Sequence, residues 1–238
     1  MSFIEENGYF VFDGVKSSDY GVWINGGGTF NAPKRRYQEV VIPGRNGVLT
    51  LDDGAFEEQE VIYPAFIARN FPANVEAFRN QLMARNGYVR MTDSYHPGEF
   101  YMAKYMSGLE VETVAGGNAG SFNLTFRRDP RRFLTSGETT QTYTVNGTIN
   151  NPTLFASNPL IRANGYGTLT RGAETIVITQ GFDYVDIDSE IQDCYFGINN
   201  ANSHVTLSNF PTLQPGTTGI VIGNGISSIE ITPRWYIV

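Results

Sequence analysis

The sequence is punctuated by asparagine–glycine and aspartate–glycine pairs, which restrict the fold more than any other feature. The Asn-Gly pairs begin at Asn7, Asn25, Asn46, Asn86, Asn146, Asn164 and Asn224, and the Asp-Gly pairs begin at Asp13 and Asp53. Such pairs readily adopt the positive φ angles that two-residue hairpin turns require. Most are flanked by short runs in which apolar and polar residues alternate. Short strands at this spacing predict an antiparallel β-sandwich or barrel.

One stretch follows a helical period instead. Apolar residues recur at positions i, i+3 and i+7 within residues 74–86, at Val75, Phe78 and Leu82. This spacing places them on one face of a helix, so we predict one helix of about three turns that packs on a sheet. Pro72 and Asn74 supply start signals, and the Asn86-Gly87 pair supplies a stop signal.

Charge density divides the chain near residue 133. Residues 1–133 carry 14 basic and 16 acidic side chains, whereas residues 134–238 carry only 3 and 8. The second stretch is instead rich in Asn, Thr, Gly and Ile. We therefore predict an N-terminal α+β domain over residues 1–133 and an all-β domain over residues 134–238, with the polar stretch 135–141 as an exposed linker.

Composition excludes several classes of protein. The formal net charge of −7 argues against a free-standing nucleic-acid binder, which usually carries a basic surface. The single cysteine, Cys194, rules out an internal disulfide framework and predicts a buried thiol. The first ten residues hold no basic residue, so we expect no signal peptide, and the longest apolar runs are far too short to span a membrane.

Catalytic and cofactor sites find little support. The two histidines, His96 and His204, are not paired, so a zinc site of nitrogen and sulfur ligands is not expected. A Cys194–His204 dyad is conceivable, but the apolar run around Cys194 favours a core thiol. The Gly26-Gly-Gly28 loop lacks the residues of a phosphate or dinucleotide loop. We predict no enzyme activity, no metal and no cofactor.

Two charged clusters remain to be explained. The first consists of Asp183, Asp186, Asp188, Glu190 and Asp193. Clusters of acids can bind a calcium ion, and a pair of them can serve as the catalytic carboxylates of a glycosidase. Because the spacing is that of a strand and not of a calcium loop, we predict a solvated or interface-facing acidic edge. The second cluster is the four arginines of residues 127–132, which could contact phosphates. We favour salt bridges between domains or subunits.

Three stretches, taken together, resemble the distal tail protein of phages with long, non-contractile tails. The first covers residues 12–24, and the second is the hairpin Val40-Val-Ile-Pro-Gly-Arg-Asn-Gly-Val-Leu49. The third combines Ile187-Asp-Ser-Glu190, Asn209-Phe-Pro-Thr-Leu-Gln-Pro-Gly216 and Ile231-Thr-Pro-Arg-Trp235. The residues that carry the structural motif are Asp188, Glu190, Pro211, Gly216, Pro233, Arg234 and Trp235. Their order spans nearly the whole chain.

The resemblance implies a mainly β fold. An N-terminal β-sandwich with one helix and an extended hairpin forms a ring, usually of six copies, and a C-terminal galectin-like β-sandwich follows. Such a ring is a hub in the virion tail tip that joins the tail tube protein to the tail tip protein and offers docking sites to receptor-binding proteins. It would be made in the bacterial host cytoplasm and bind neither membrane nor specific nucleic acid. The family has no catalytic residues to carry over.

The hairpin over residues 37–51 is the predicted oligomer interface. Its tip combines a rigid proline, two glycines and an arginine that can fork onto a neighbour's carboxylate or carbonyl groups. The interface residues are Pro43, Gly44, Arg45, Asn46 and Gly47. The alternative function is a carbohydrate-binding adhesion module that acts through the galectin-like domain. We expect Trp235, the only tryptophan of that domain, to be in its core and not under a sugar ring.

Overall fold

A computed structural model describes residues 8–25, 30–68, 70–172 and 174–238, and these residues are mainly β. They divide into one unit that extends to Arg132 and includes Val238, and a second unit over Phe133–Ile237. The predicted fold class, mainly β with one helix, is confirmed. The predicted boundary after residue 133 remains a proposal about separable domains, which limited proteolysis would test. Asn7 and the Gly26-Gly-Gly28 loop lie outside the described residues.

The described residues of the first unit form ten strands, one α-helix and two short 3₁₀ helices. The strands are β1 (Phe10–Phe12), β2 (Val15–Lys16), β3 (Val22–Ile24), β4 (Arg35–Val40), β5 (Leu49–Phe56), β6 (Gln59–Ile67), β7 (Val89–Asp93), β8 (Glu99–Tyr105), β9 (Glu112–Val114) and β10 (Ala119–Leu134), whose last two residues belong to the second unit. The helix α1 is Phe71–Met83, and the 3₁₀ helices are Ser17–Tyr20 and Ala115–Gly117.

Hydrogen bonds join most of these strands in one sheet, in the order β2-β1-β7-β8-β10-β6-β3. In a flat sheet, β1 and β6 would be about 19 Å apart at a spacing of roughly 4.8 Å per strand. Yet the rings of Phe10 on β1 and Tyr63 on β6 are only 6.2 Å apart. The sheet therefore curls until its two halves face each other across an aromatic core. The sequence did not predict that the facing layers are one continuous sheet.

Helix α1 contributes to this core through its apolar face. Phe78 and Leu82 are buried, and the ring of Phe78 lies 6.2 Å from that of Phe10. The helix begins at Phe71, three residues before the predicted start, with Asn70 as N-cap residue and Pro72 in the first turn. The proline explains the earlier start, because its fixed φ suits the first turn, where its missing N–H costs nothing.

The second unit is built from two sheets and two short 3₁₀ helices, Thr135–Glu138 and Asn202–His204. Its strands are β11 (Gln141–Tyr143), β12 (Gly147–Asn151), β13 (Leu160–Gly165), β14 (Gly167–Arg171), β15 (Glu174–Ile178), β16 (Tyr184–Asp188), β17 (Asp193–Phe196), β18 (Asn199–Asn200), β19 (Val205–Thr206), β20 (Gly216–Ile222), β21 (Ile226–Thr232) and β22 (Tyr236–Ile237). The strand β22 pairs with β10, and the other strands form two sheets, one with the order β11-β21-β13-β16-β17-β18 and one with the order β12-β20-β14-β15-β19. Both supply apolar side chains to a single core, so the unit is a β-sandwich.

Three Asn-Gly pairs of this unit have a different role from the one predicted. The pairs at Asn146, Asn164 and Asn224 each lie where the chain passes from a strand of one sheet to a strand of the other. Gly165 and Gly225 have φ angles of +100° and +95°, which permit sharp corners. The pairs therefore turn the chain between layers and do not close hairpins within one sheet.

Candidate functional site

The strands β4 and β5 form a hairpin that is a separate two-stranded sheet. At its tip, the N–H of Arg45 donates a hydrogen bond to the carbonyl oxygen of Ile42 at 3.1 Å. Gly44 has a φ angle of +80°, and Pro43 precedes it, which is the pattern of a type II turn. Asn46 follows, and Gly47 supplies a second positive φ of +79°. All five predicted interface residues lie at this tip and are exposed.

Two ion pairs connect the strands at the base of the hairpin. A guanidinium nitrogen of Arg35 lies 2.9 Å from a carboxylate oxygen of Asp52, and one of Arg36 lies 2.7 Å from Asp53. The hydrogen bond from Arg36 lowers the pKa of Asp53 from its usual value. Exposed pairs of this kind contribute little to stability, because water screens them. They orient the two strands without making the hairpin stable by itself.

The register of the hairpin separates an apolar face from a polar one. Val40 is opposite Leu49 and Gln38 is opposite Leu51, while Glu39 and Thr50 form a pair on the other face. Leu49 and Leu51 are 38% and 50% exposed, so the apolar face is open to solvent in the single chain. Isolated two-stranded hairpins are marginally stable in water. We therefore expect a partner surface to cover the apolar face.

The motif residues of the second unit hold its last segment in place. Asp188, at the end of β16, accepts hydrogen bonds from both terminal nitrogens of Arg234, at 2.6 and 2.9 Å. Burial alone would raise the pKa of Asp188, yet these bonds and the charge of Arg234 hold that pKa below its usual value. The same carboxylate accepts the N–H of Glu190, whose side chain takes a hydrogen bond from Asn158.

The neighbouring motif residues are structural in the same sense. The carbonyl oxygen of Pro233 accepts a hydrogen bond from the hydroxyl of Ser157 at 2.6 Å. Trp235 is 3% exposed, which confirms its predicted place in the core. Pro211 is also buried, and Gly216 begins β20 with a φ angle of +84°. These residues therefore shape the sandwich and expose little side-chain chemistry.

The prediction of a solvated or interface-facing acidic edge is wrong for two of its five acids. Asp186 and Asp188 are 4% and 5% exposed. Asp186 accepts two hydrogen bonds from Arg162 on the adjacent strand, at 2.7 and 2.8 Å. Two arginines thus cover these acids and neutralise their charge. Among the described residues, no group of three His, Cys, Asp or Glu side chains could hold a metal ion.

The arginines of residues 127–132 were predicted to bridge domains or subunits, but their observed partners are within the first unit. Arg127 lies 4.0 Å from Glu60, and Arg132 lies 3.4 Å from Glu99. Arg128 is 1% exposed and stacks 4.0 Å above the ring of Tyr101. The reason is that this segment continues the long strand β10 and is not part of a linker.

Sequence reasoning missed a buried polar network around His96. Its Nδ1 lies 2.8 Å from a carboxylate oxygen of Asp93, and the other oxygen accepts the hydroxyl hydrogen of Tyr63 at 2.9 Å. Asp93 also accepts the backbone N–H groups of Tyr95 and His96. The sequence showed His96 only as an unpaired histidine, and nothing in it indicated that this side chain is buried.

The environments of Cys194 and His204 do not support a catalytic dyad of these two residues. Cys194 is buried in the core, and burial raises the pKa of its thiol to about 11. His204 packs its ring against Phe182, with the centroids 5.0 Å apart, and its Nδ1 lies 3.2 Å from the carbonyl oxygen of Gln180. A protonated thiol of this kind is a poor nucleophile at neutral pH.

The fold defines a class of β-protein in which a curled sheet with one helix and a projecting hairpin is followed by a β-sandwich. The chain superimposes on the Dit protein of phage SPP1, a paradigm of the hub adsorption apparatus in phages that infect Gram-positive bacteria, with a TM-score of 0.75 and 16% identity over 97% of this chain and 99% of that one. The fold resemblance predicted from the sequence motifs is thereby confirmed.

A second match is a chain of the phage p2 baseplate in its activated conformation with strontium, with a TM-score of 0.49 and 9% identity over 94% of this chain and 97% of that one. No protein-family profile matches the sequence, and no curated protein does. No helix among the described residues has the length and apolar character needed to cross a membrane.

Proposed function

We propose that this protein is the structural hub of a phage or prophage tail tip. In this role it forms a ring, of six copies as the family resemblance implies, that joins the tail tube protein to the tail tip protein. The ring also presents docking sites for receptor-binding proteins, and it is made in the host cytoplasm before it enters the virion. The protein acts as a scaffold and has no catalytic part in this proposal.

The observation that carries the proposal is the exposed, amphipathic hairpin on a fold shared with SPP1 Dit. Each strand of the hairpin rises about 3.4 Å per residue, so the six residues of β4 extend about 20 Å. A ring subunit must present one surface to the neighbour on one side and a different surface to the other neighbour. A projecting hairpin with one apolar face suits the first of these surfaces.

The net charge of −7 also supports the proposal. The channel of a tail passes DNA, and basic groups around it would retain the DNA by phosphate contacts. An acidic protein avoids such retention.

Mass photometry across a concentration series tests the ring. The wild-type chain is expected to form closed oligomers as its concentration rises, because assembly follows mass action. The double variant Leu49→Lys/Leu51→Lys places two charges on the apolar face and is expected to remain monomeric. Thr50→Lys, on the opposite face of the same strand, is the matched control and keeps the ring. A wild type that stays monomeric at all concentrations, even with tail partners, contradicts the proposal.

The position of Trp235 argues against the alternative function, a carbohydrate-binding module. Trp235 is buried, so its indole is not available as a platform for a sugar ring. Glycan arrays separate the two functions, because the hub predicts no specific glycan signal, whereas an adhesion module predicts micromolar binding.

A further inference from the structure

Among the described residues of the first unit, a second apolar surface is exposed, on the outer face of the strand β6. Ile62, Pro64 and Phe66 alternate with buried residues along this strand, and Ile62 and Phe66 are 47% and 37% exposed. At about 3.3 Å per residue, the row is roughly 13 Å long. The apolar face of the hairpin is long enough to cover this apolar row.

The row leads into an acidic groove of about 510 Å³. Pro64 belongs to both, and the groove is also lined by Ser121 and Asn123 of β10 and by Glu110 and Glu112. Both glutamates are exposed, and neither contacts a basic side chain among the residues that the structure describes. A volume of this order lies within the roughly 300–1,000 Å³ of pockets that enclose a small ligand.

We propose that this groove receives the hairpin tip of a second copy of the chain. This inference rests on the proposed function, since it names the surface on which the hairpin of a ring neighbour docks. Charge complementarity supports the choice of occupant, because the groove contributes two carboxylates and the tip contributes one arginine, Arg45. An arginine forks onto carboxylates with short, charge-assisted hydrogen bonds. The apolar face of the hairpin then covers Ile62 and Phe66.

This arrangement gives the two different patches that a closing ring requires. The hairpin and the groove are separate surfaces of one chain, so each copy can donate a hairpin to one neighbour and accept one from the other. The type II turn presents Arg45 beyond Pro43 and Gly44, and nothing lies within 4 Å of the position where a Cβ on Gly44 would be. The tip is therefore narrow and free to enter a groove.

Charge reversal and rescue test the pairing in the full-length chain. Arg45→Glu, or Glu110→Lys/Glu112→Lys, is expected to raise the dissociation constant of the oligomer on the order of tenfold or more. Combining the two sets restores opposite charges and is expected to recover most of the lost affinity. Glu76→Lys changes an exposed glutamate of helix α1 outside the groove and is expected to leave assembly unchanged.

Thermal melts at a concentration where all variants are monomeric identify any folding defect, and Glu110→Gln/Glu112→Gln then serves as the milder replacement. If the wild type forms rings but the groove variants assemble like Glu76→Lys, this inference is overturned and the ring stands. If the wild type never associates, both proposals fail.

A cysteine pair gives an independent readout. Under mild oxidation, Arg45→Cys/Asn123→Cys is expected to produce a ladder of cross-linked oligomers, whereas Arg45→Cys/Glu76→Cys gives none. Equal ladders from both pairs, or none from the first, count against the groove as the docking surface.

Discussion

Gly137 lies so close to the last segment of the second unit that no other residue fits at its position. An added Cβ would overlap the backbone nitrogen of Trp235 and would lie 3.1 Å from the carbonyl carbon of Arg234. Gly137→Ala is therefore expected to lower the free energy of unfolding by about 1–3 kcal/mol, as overpacking does. Urea denaturation followed by tryptophan fluorescence measures the change.

Gly219→Ala is the control for this prediction, because nothing lies within 4 Å of a Cβ at that position on β20. Its effect is expected to stay within about 0.5–1 kcal/mol, the range of a glycine in a strand. Equal losses from the two variants would show that Gly137 has no special packing role.

For two single residues, the sequence predicted a place in the core correctly. Trp235 and Cys194 are buried as expected. It failed for Asp186 and Asp188, because alternation along a strand shows which side chains share a face and not what covers that face. The covering residues, Arg162 and Arg234, lie far away in sequence and reach the acids only through sheet pairing and the last segment.

On the strand β16, the negative charges of Asp186 and Asp188 are neutralised by Arg162 and Arg234. Arg234→Met would leave the buried carboxylate of Asp188 without its main donor. We expect this variant to lose on the order of 2–3 kcal/mol of stability at pH 7, because Arg234 is partly exposed and water can compensate in part. Thermal melts measure the loss, with Arg79→Met, a change at an exposed residue of helix α1, as the control.

The same pair predicts a pH dependence with a defined sign. The pKa of Asp188 is lower in the folded protein than the value near 3.9 of an unfolded chain. Its contribution to stability is therefore complete above about pH 4 and is lost as the pH falls through the folded pKa. Asp188→Asn is expected to be less stable at pH 7 and to lose less stability between about pH 5 and pH 2. Parallel acid-unfolding curves for the two proteins would contradict this assignment.

Among the elements, the helix and the strands with clear alternation were predictable from periodicity. The turn pairs were identified as sharp changes of direction, but their role was not. Asp53-Gly54, for example, lies inside β5, where Gly54 has a φ angle of +77° near a register shift in the hairpin. A positive φ serves a bulge or a corner between sheets as well as a hairpin turn, and the local sequence does not distinguish them.

For the whole molecule, we expect that divalent metals contribute nothing to stability. The acidic cluster is partly neutralised by arginines, and the described residues contain no metal-binding group. A chelator is therefore expected to leave the melting temperature unchanged, since a ligand bound only by the native state would raise it. A drop of several degrees that calcium reverses would show that the remaining acids bind an ion.

The proposed docking groove is the part least accessible from the sequence. The hairpin was recognised by its turn residues and by resemblance, but the surface proposed to receive it has no local signature. Glu110 and Glu112 look like ordinary surface glutamates until the sheet places them beside Pro64 and Asn123. Surfaces that combine distant segments become visible only when the fold is known.

The first and last segments of the second unit lie side by side. The N–H of Leu134 donates to the carbonyl oxygen of Trp235, and the N–H of Arg234 donates to that of Gly137, both at 2.8 Å. A unit whose ends meet can be exchanged, duplicated or circularly permuted without rerouting its backbone. We therefore expect that a short linker between residues 134 and 235 would allow new termini to open at an exposed loop of the sandwich.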